Sequence, residues 1–325
     1  MKRKKILLVG CGNIGSRHLQ ALTQIPFPIE VTVIEPSKQA QKIALQRLNE
    51  MKYERKTHNV LWYTNLNELK ENFDLTIVAT ISTGRVALIK KLLHLGHSRF
   101  LIEKIVCQST HEYDMLLDNM KKFKAKGWVN TNLRYFTSYK KIKKYFSTSK
   151  KIHISLTTGG HYGLATNSIH YLDLFSWFVD NYKITLNGNS LYNKLLPNKR
   201  GKNLVEFAGS ITGTTSNGSS VTLTFIPNAN LPLLVNIYGD NNRHLVIDET
   251  NENVINTTNK NSSFDYVYEH TSSLTTKIVS DILTKDNCNL STLDKSYYLH
   301  KELFRILCHH MKKLTNKETK VCPIT

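Results

Sequence analysis

The stretch MKRKKILLVGCGNIGSRHLQAL, residues 1–22, decides the fold, and it admits two readings. Basic residues precede a short apolar run, and Leu8-Val9-Gly10-Cys11 looks like the cleavage box of an exported lipoprotein. The same letters hold Gly10-Cys11-Gly12-Asn13-Ile14-Gly15, the glycine spacing of a phosphate-cradling turn. The export reading fails on length, because the run Ile6–Val9 is shorter than the roughly 7–15 apolar residues of a signal core. Cutting at Cys11 would also destroy the strand that the turn needs. The second reading has its required context: a strand before and a helix after.

Each letter of the turn then has a mechanical part. Gly10 permits the tight turn, Gly12 lets backbone approach a pyrophosphate, and Gly15 lets the helix pack against the sheet. Asn13 and Ile14 open that helix, whose N-terminus offers amide donors and partial positive charge to phosphates. Glu35 stands at the end of the next strand, twenty residues after Gly15. A carboxylate there accepts ribose hydroxyls and repels a 2′-phosphate, so NAD is expected over NADP. Cys11 reads as a small loop residue and not as a nucleophile.

Outward from this turn, strands and helices alternate to about residue 126. Strands are expected at Lys5–Val9, Glu30–Ile34, Val60–Tyr63, Leu75–Thr80 and Phe100–Ile102. Helices are expected from Asn13, after the Ser37 cap, at Arg85–Leu95 and from Ser109 to Lys126. Alternation of this kind implies crossover connections and a doubly wound parallel sheet. After Trp128 the pattern changes. A helix at Ser138–Phe146, a strand at Ile152–Thr158 and a helix at Asn167–Val179 precede several strand-like runs. These are Leu204–Thr212, Ser220–Ile226, Leu233–Tyr238, His244–Asp248 and Phe264–Tyr268, and they read as an antiparallel sheet. Asn251–Ser263 reads as a loop, and helices near Leu274–Leu283 and Leu293–Leu314 close the chain. The fold class is α/β, with a nucleotide-binding domain at 1–126 and a second domain at 127–325, to which the family resemblance given below assigns substrate binding and oligomerisation.

Composition limits the function classes. The chain has 325 residues, 40% hydrophobic and 21% charged, enough for two packed cores. No apolar run approaches the roughly 20 residues of a membrane span. Five cysteines without CxxC-like spacing argue against a disulfide framework or zinc site, and no metal is expected. They fit a reducing cytosol, so a cytoplasmic protein is expected. The formal charge of +19 attracts phosphates or acidic substrates. The basic residues are dispersed and no nucleic-acid motif is present, so a solvated lysine-rich surface is expected and nucleic acid is not.

The runs GCGNIGSRHLQAL, LTIVAT, IEKI and SIHYLDLFSWF, in this order, resemble the glucose–fructose oxidoreductase / inositol dehydrogenase (Gfo/Idh/MocA) family. The resemblance covers nearly the whole chain. It implies an NAD-binding Rossmann domain, then an α/β domain with a large, mostly antiparallel sheet, and an active site between them. It implies hydride transfer between a nicotinamide and a carbinol of a sugar or nucleotide sugar, and a homodimer or homotetramer. EKIVCQS and GLATNSIHYLDLF look similar to a subgroup tied to bacterial surface-polysaccharide biosynthesis, which points to an activated or acidic sugar. Two other readings stay open: a retained-NAD lyase or hydrolase, and a non-catalytic NAD-binding protein.

The resemblance also assigns residues. Lys104 matches the family lysine that stabilises alkoxide charge and relays a proton; the plain alternative is a surface lysine at a strand end. Glu103 matches a glutamate near the cofactor, and Ile105 stands where the family has proline. His170 matches the general base; the alternative is a satisfied interface histidine. Thr166 takes the place of an aspartate four residues before it, and Asp173 follows on the same helix face. Ala79 and Thr80 match the loop passing the nicotinamide ribose. Arg85 is either an anion contact or a solvated helix start. Arg134 matches a cleft arginine. His161, Tyr162 and Asn167, in TTGGHYGLATNS, are expected near the same cleft, with a plain tight turn as the alternative.

Overall fold

The computed structural model describes residues 3–51, 58–69, 72–160, 163–259 and 263–325. Two compact units result. The first comprises Met1–Cys107, Glu112–Asn132 and Glu269–Leu293; the second comprises Gln108–His111, Leu133–Tyr268 and Asp294–Thr325. The division is not the linear one expected at 126/127, because a late segment belongs with the first unit.

The first unit is built on six parallel strands: β1 (Lys4–Val9), β2 (Ile29–Ile34), β3 (His58–Tyr63), β4 (Leu75–Val78), β5 (Arg99–Ile102) and β6 (Lys126–Val129). Their order is β3-β2-β1-β4-β5-β6. The chain first winds outward one way from β1 and then starts again from β4. Such a reversal opens a crevice at the carboxyl ends of the central strands. Between strands run α1 (Asn13–Leu22), α2 (Lys38–Asn49), α3 (Arg85–His94) and α4 (Thr110–Lys122). β1 and β4 are continuous apolar runs whose last four residues are buried, as strands covered on both faces must be. Ser37 caps α2 as expected, accepting from the Ala40 amide.

The second unit holds α5 (Thr137–Tyr145), β7 (Ile152–Gly160), α6 (Leu164–Val179), β8 (Thr185–Leu191), β9 (Leu196–Pro197), β10 (Val205–Glu206), β11 (Gly209–Thr214), β12 (Ser220–Pro227), β13 (Leu234–Gly239), β14 (Arg243–Asp248), β15 (Asn253–Asn256) and β16 (Phe264–Asp265). Eight of these strands form one sheet, β16-β15-β14-β13-β7-β12-β11-β8. Only the β7–β12 pair is parallel. β9 and β10 form a separate two-stranded hairpin. After β16 the chain contributes α7 (Thr271–Lys285) to the first unit and ends in α8 (Leu293–Thr315).

Three sequence expectations change here. The run Leu204–Thr212 is two strands, β10 and β11, parted where Gly209 adopts φ 100°. The expected loop 251–263 contains β15, whose Val254 and Asn256 turn inward. Helix α6 begins at Leu164 and not at Asn167.

Candidate functional site

In the first unit the turn after β1 has the mechanics that its glycines require. Gly10 sits at φ 84°, a region L side chains rarely adopt, and a Cβ there would lie 3.0 Å from the Thr80 amide nitrogen. A Cβ on Gly15 would lie 2.0 Å from the Gly10 carbonyl oxygen. A Cβ on Gly12 would meet nothing within 4 Å. Gly10 and Gly15 therefore serve the fold, while Gly12 leaves an open cradle. No side chain caps α1 at Gly12, and its first turn carries no acid. Its leading amides thus face the cradle as a phosphate site requires.

Glu35 follows β2 and is buried. One carboxylate oxygen accepts from the Cys11 amide at 2.7 Å, the other from the Ser37 amide at 2.9 Å. A carboxylate has about four acceptor positions, so room remains for hydroxyl donors. Burial, then the nearby Glu35, pushes the Cys11 thiol up to about 12, which rules out a thiolate at neutral pH. Arg47 of α2 was not singled out from sequence. It donates to the Asn13 side chain at 2.9 Å and to Ser16 Oγ at 2.6 Å, tying α2 to the head of α1. The two partners lie 34 positions apart, and no local pattern signals such a pair.

Ala79 and Thr80 follow β4, where the Ala79 amide donates to the Val9 carbonyl at 2.8 Å. Arg85 fits neither sequence expectation. It is fully buried, and its guanidinium donates to the backbone carbonyls of Thr80, Glu103 and Ile105. It thus clamps the ends of β4 and β5. Glu103 and Lys104 continue β5 and are both buried. The Lys104–Ile105 peptide bond is cis. Glu103 accepts from Asn130 at 2.5 Å and pairs with His18 of α1 at 3.0 Å. Burial opposes its ionisation, but the bonds from His18 and Asn130 outweigh that and hold it at about 2. His18 also meets Thr275 of α7 at 2.9 Å.

In the second unit, His170 lies half-buried on α6. Thr166, one turn earlier, donates its hydroxyl to the Glu206 carboxylate of β10. Glu206 also accepts from the amides of Ala165 at 2.5 Å, Thr166 at 3.3 Å and Phe207 at 3.0 Å. Burial raises the pKa of Glu206, while the bonds from Thr166, Phe207 and Ala165 oppose the rise. A carboxylate at this place was invisible in sequence, since it reaches α6 from 40 positions away. A Cβ on Gly163 would fall 2.1 Å from that carboxylate, so the glycine admits Glu206 and not a ligand.

Arg134 and Asp173, both expected at the substrate cleft, hold each other. Arg134 donates to both oxygens of Asp173, at 2.6 and 2.8 Å, with both side chains buried. Burial works against the guanidinium charge, and Asp173 outweighs it. Breaking such a pair costs about 3–5 kcal/mol, so it fastens α6 to the segment before α5. Asn167 donates to the Gly163 carbonyl at 3.0 Å. His161 and Tyr162 lie outside the described residues.

Two of the cavities in this unit adjoin the end of β7. The larger, ≈ 680 Å³, is bounded by Thr166 and Asn167 of α6, Glu206, and Asn198, Lys199 and Arg200 of the β9–β10 turn. The smaller, ≈ 500 Å³, is bounded by Asn230, Glu249, Thr250 and Tyr268 and shares Gly160 and Asn228 with the first. Glu249 accepts from Tyr139 at 2.5 Å and Tyr171 at 3.5 Å. Burial raises it to about 7 against the pull of Tyr139, Tyr171 and Tyr266. Among the described residues there is no cluster of His, Cys, Asp and Glu arranged to hold a metal, and no helix is long and apolar enough to cross a membrane.

Residues 4–131 match the profile of an oxidoreductase family described by its NAD-binding Rossmann fold. This segment belongs to the Gfo/Idh/MocA oxidoreductase family. Solved structures share the fold over nearly the whole chain. Myo-inositol 2-dehydrogenase from Lactobacillus plantarum superposes with a TM-score of 0.71 at 16% identity, covering 98% of this chain and 100% of its own. The UDP-N-acetylglucosamine 3-dehydrogenase GnnA from Acidithiobacillus ferrooxidans gives 0.68 at 13% identity, with 94% and 97% covered. The 3-ketoreductase KijD10 from Actinomadura kijaniata, solved with NADP, gives 0.70 at 14% identity, with 93% and 96% covered. No curated protein sequence matches the chain. At such identities the likeness shows the fold, while the matched segment shows a Gfo/Idh/MocA nucleotide-binding domain.

Proposed function

We propose that this protein is an NAD-dependent dehydrogenase that oxidises or reduces a carbinol of a sugar or nucleotide sugar. The observation that carries the reading is the open cradle at Gly12, uncapped by any side chain, with the Glu35 carboxylate beside it through the Cys11 amide. The pyrophosphate is held by the leading amides of α1, with Asn13, Ile14 and Gly15 forming its first turn. The adenosine ribose is held by Glu35, whose negative charge disfavours a 2′-phosphate. Ala79 and Thr80 border the nicotinamide ribose. A bound nicotinamide supplies the hydride acceptor or donor.

The chain's own residues handle the proton. Lys104 stabilises negative charge developing on the reacting oxygen, and His170 takes the hydroxyl proton on a ring nitrogen. Thr166 joins His170's helix face to the Glu206 carboxylate through its hydroxyl. Glu103 holds the end of β5, and thereby the base of Lys104, by its bonds to His18 and Asn130. The resemblance of EKIVCQS and GLATNSIHYLDLF to polysaccharide-linked enzymes supports a cytoplasmic homo-oligomer making a precursor of a bacterial surface polysaccharide.

Native mass spectrometry of the purified protein with NAD or NADP tests the cofactor assignment, and NADH formation with a panel of nucleotide sugars tests the reaction. The expected result is an NAD adduct and substrate-dependent NADH. NADP binding more tightly than NAD would remove Glu35 from its role, and binding of neither would end the dehydrogenase reading. NAD that survives dialysis with no net NADH produced would move the assignment to the retained-cofactor lyase.

A further inference from the structure

After α8 the chain turns back into the second unit, and its last residues are pinned there. The Cys322 amide donates to the Gln108 carbonyl at 2.7 Å, and the Val205 amide of β10 donates to the Pro323 carbonyl at 2.8 Å. The Ile324 amide closes on the Cys322 carbonyl at 2.8 Å, and the Gln108 side chain donates to the Ile324 carbonyl at 3.4 Å. Cys322 and Ile324 are fully buried. With backbone bonds on both sides of it, the Cys322 thiol is held in one place. There it makes a hydrogen bond with the thiol of Cys308 on α8, fourteen positions earlier in the chain. Both cysteines are free thiols, Cys308 half-buried and Cys322 sealed. Neighbouring thiols of unequal exposure, the inner one fixed by its backbone, are the arrangement of an attacking and a resolving cysteine.

We infer that Cys308 and Cys322 form a reversible redox pair, oxidised by hydrogen peroxide to a disulfide that locks the C-terminal segment onto α8. The hydrogen bond from Cys322 holds the Cys308 thiol below its ordinary value, against the opposing effect of burial. Burial first, then the bond to Cys308, pushes the Cys322 thiol well up. Cys308 therefore ionises first, and it is the one that solvent reaches. Its thiolate attacks one peroxide oxygen, the O–O bond breaks, and hydroxide leaves to take up the Cys308 proton as water. Cys308 is then a sulfenic acid. The Cys322 sulfur attacks the Cys308 sulfur, the S–O bond breaks, and hydroxide leaves with the Cys322 proton as a second water. Two thiols lose two electrons and one peroxide gains them. A dithiol reverses the step by exchange. Such a bond is compatible with a reducing compartment, where disulfides are transient and redox-sensing. Its effect reaches β10: Pro323 holds Val205, and the next residue, Glu206, holds the start of α6 through Ala165 and Thr166. The inference is independent of the reaction proposed above.

The test treats the fully reduced, full-length protein with a small excess of hydrogen peroxide and maps its peptides by mass spectrometry without reduction. The expected product is one peptide pair joined through Cys308 and Cys322, about 2 Da lighter than the two thiol peptides together and separated by dithiothreitol. The oxidised protein is expected to melt about 5 °C or more above the reduced one, since the bond closes a loop of about fifteen residues. Cys308→Ser should abolish both the linked peptide and the rise in melting temperature, with its own untreated form as the reference. Cys322→Ala should leave Cys308 as a sulfenic acid that dimedone captures; if this variant does not fold, the wild type and Cys308→Ser still decide. Oxidation of Cys308 to sulfinic acid with no linked peptide overturns the inference. So does linkage that appears only in denaturant, or a linked protein that melts no higher than the reduced one.

Discussion

Two glycines of one turn make opposite demands, and single methyl groups separate them. Gly15→Ala places a Cβ against the Gly10 carbonyl, so α1 must shift; a loss of about 1–3 kcal/mol of stability is expected from overpacking. Gly12→Ala adds its methyl to open space, but at φ −69° and ψ −147°, outside the extended and helical regions of L residues. NADH affinity is expected to fall about tenfold or more, because the methyl fills the cradle, with about 1 kcal/mol of stability lost to backbone strain. Thermal melts and NADH titration of both variants check this. Lys104→Ala and His170→Asn are expected to lower kcat by about 10²–10⁴ with NADH affinity kept, the scale of a lost proton-transfer group. At this scale the sequence was informative wherever function is local. The fingerprint spans six positions, and Glu35 stands at a fixed offset from it. The partners of Arg85, Arg134 and Asp173 were not legible, because tertiary packing sets them. A charged residue in a string of letters carries no mark of which carbonyl or counter-ion it meets.

At the scale of elements, buried charges act as fasteners. Glu103 ties the end of β5 to α1 through His18 and to the segment after β6 through Asn130. Glu103→Gln removes the charge that His18 meets, and about 3 kcal/mol or more of stability is expected to go with it, measured by denaturant unfolding. Glu249 behaves in the opposite sense. It packs among Tyr139, Tyr171 and Tyr266, with Tyr268 also at hand, and its pKa rises from the ordinary 4.5 to about 7. The folded state therefore holds the proton more tightly than the unfolded chain. Its stabilising contribution is complete below about pH 4.5 and is lost as pH rises through about 7. Wild type is expected to lose on the order of 3 kcal/mol between pH 4.5 and pH 8 from this group, and Glu249→Gln to lose that part of the slope. Unfolding curves across that range decide it. The elements of the first unit were legible because parallel strands buried on both faces read as unbroken apolar runs. β8 and β15 were not. TLNGNSL and NVIN mix asparagine and glycine with few inward residues, which is the composition of a loop. Their strand character comes from the neighbours they pair with.

For the whole molecule, the chain order and the compact units disagree. A boundary at 126/127 follows from where the local pattern changes, and the change is real: a parallel sheet gives way to a mostly antiparallel one. What no local pattern shows is that α7, far along the chain, packs on α1. Thr275 meets His18, and Thr276 donates to the Ala21 carbonyl at 2.7 Å. A fragment of residues 1–132 is accordingly expected to melt non-cooperatively. The same fragment joined by a short linker to residues 269–293 should unfold in one transition and bind NADH. Circular dichroism melts of the two fragments test this. If the shorter one melts cooperatively, α7 is an accessory and not a part of the core.

The placement of α7 also bears on biosynthesis. A ribosome releases β6 when Val129 emerges, yet the helix that covers α1 begins 142 positions later, at Thr271. Until then the nascent first unit keeps His18 and its apolar neighbours on α1 open to solvent, and the intervening polypeptide must be made before that face is sealed. The first unit, translated first, thus stays incomplete until Leu293, by which point only the segment Asp294–Thr325 of the second unit is still to be made.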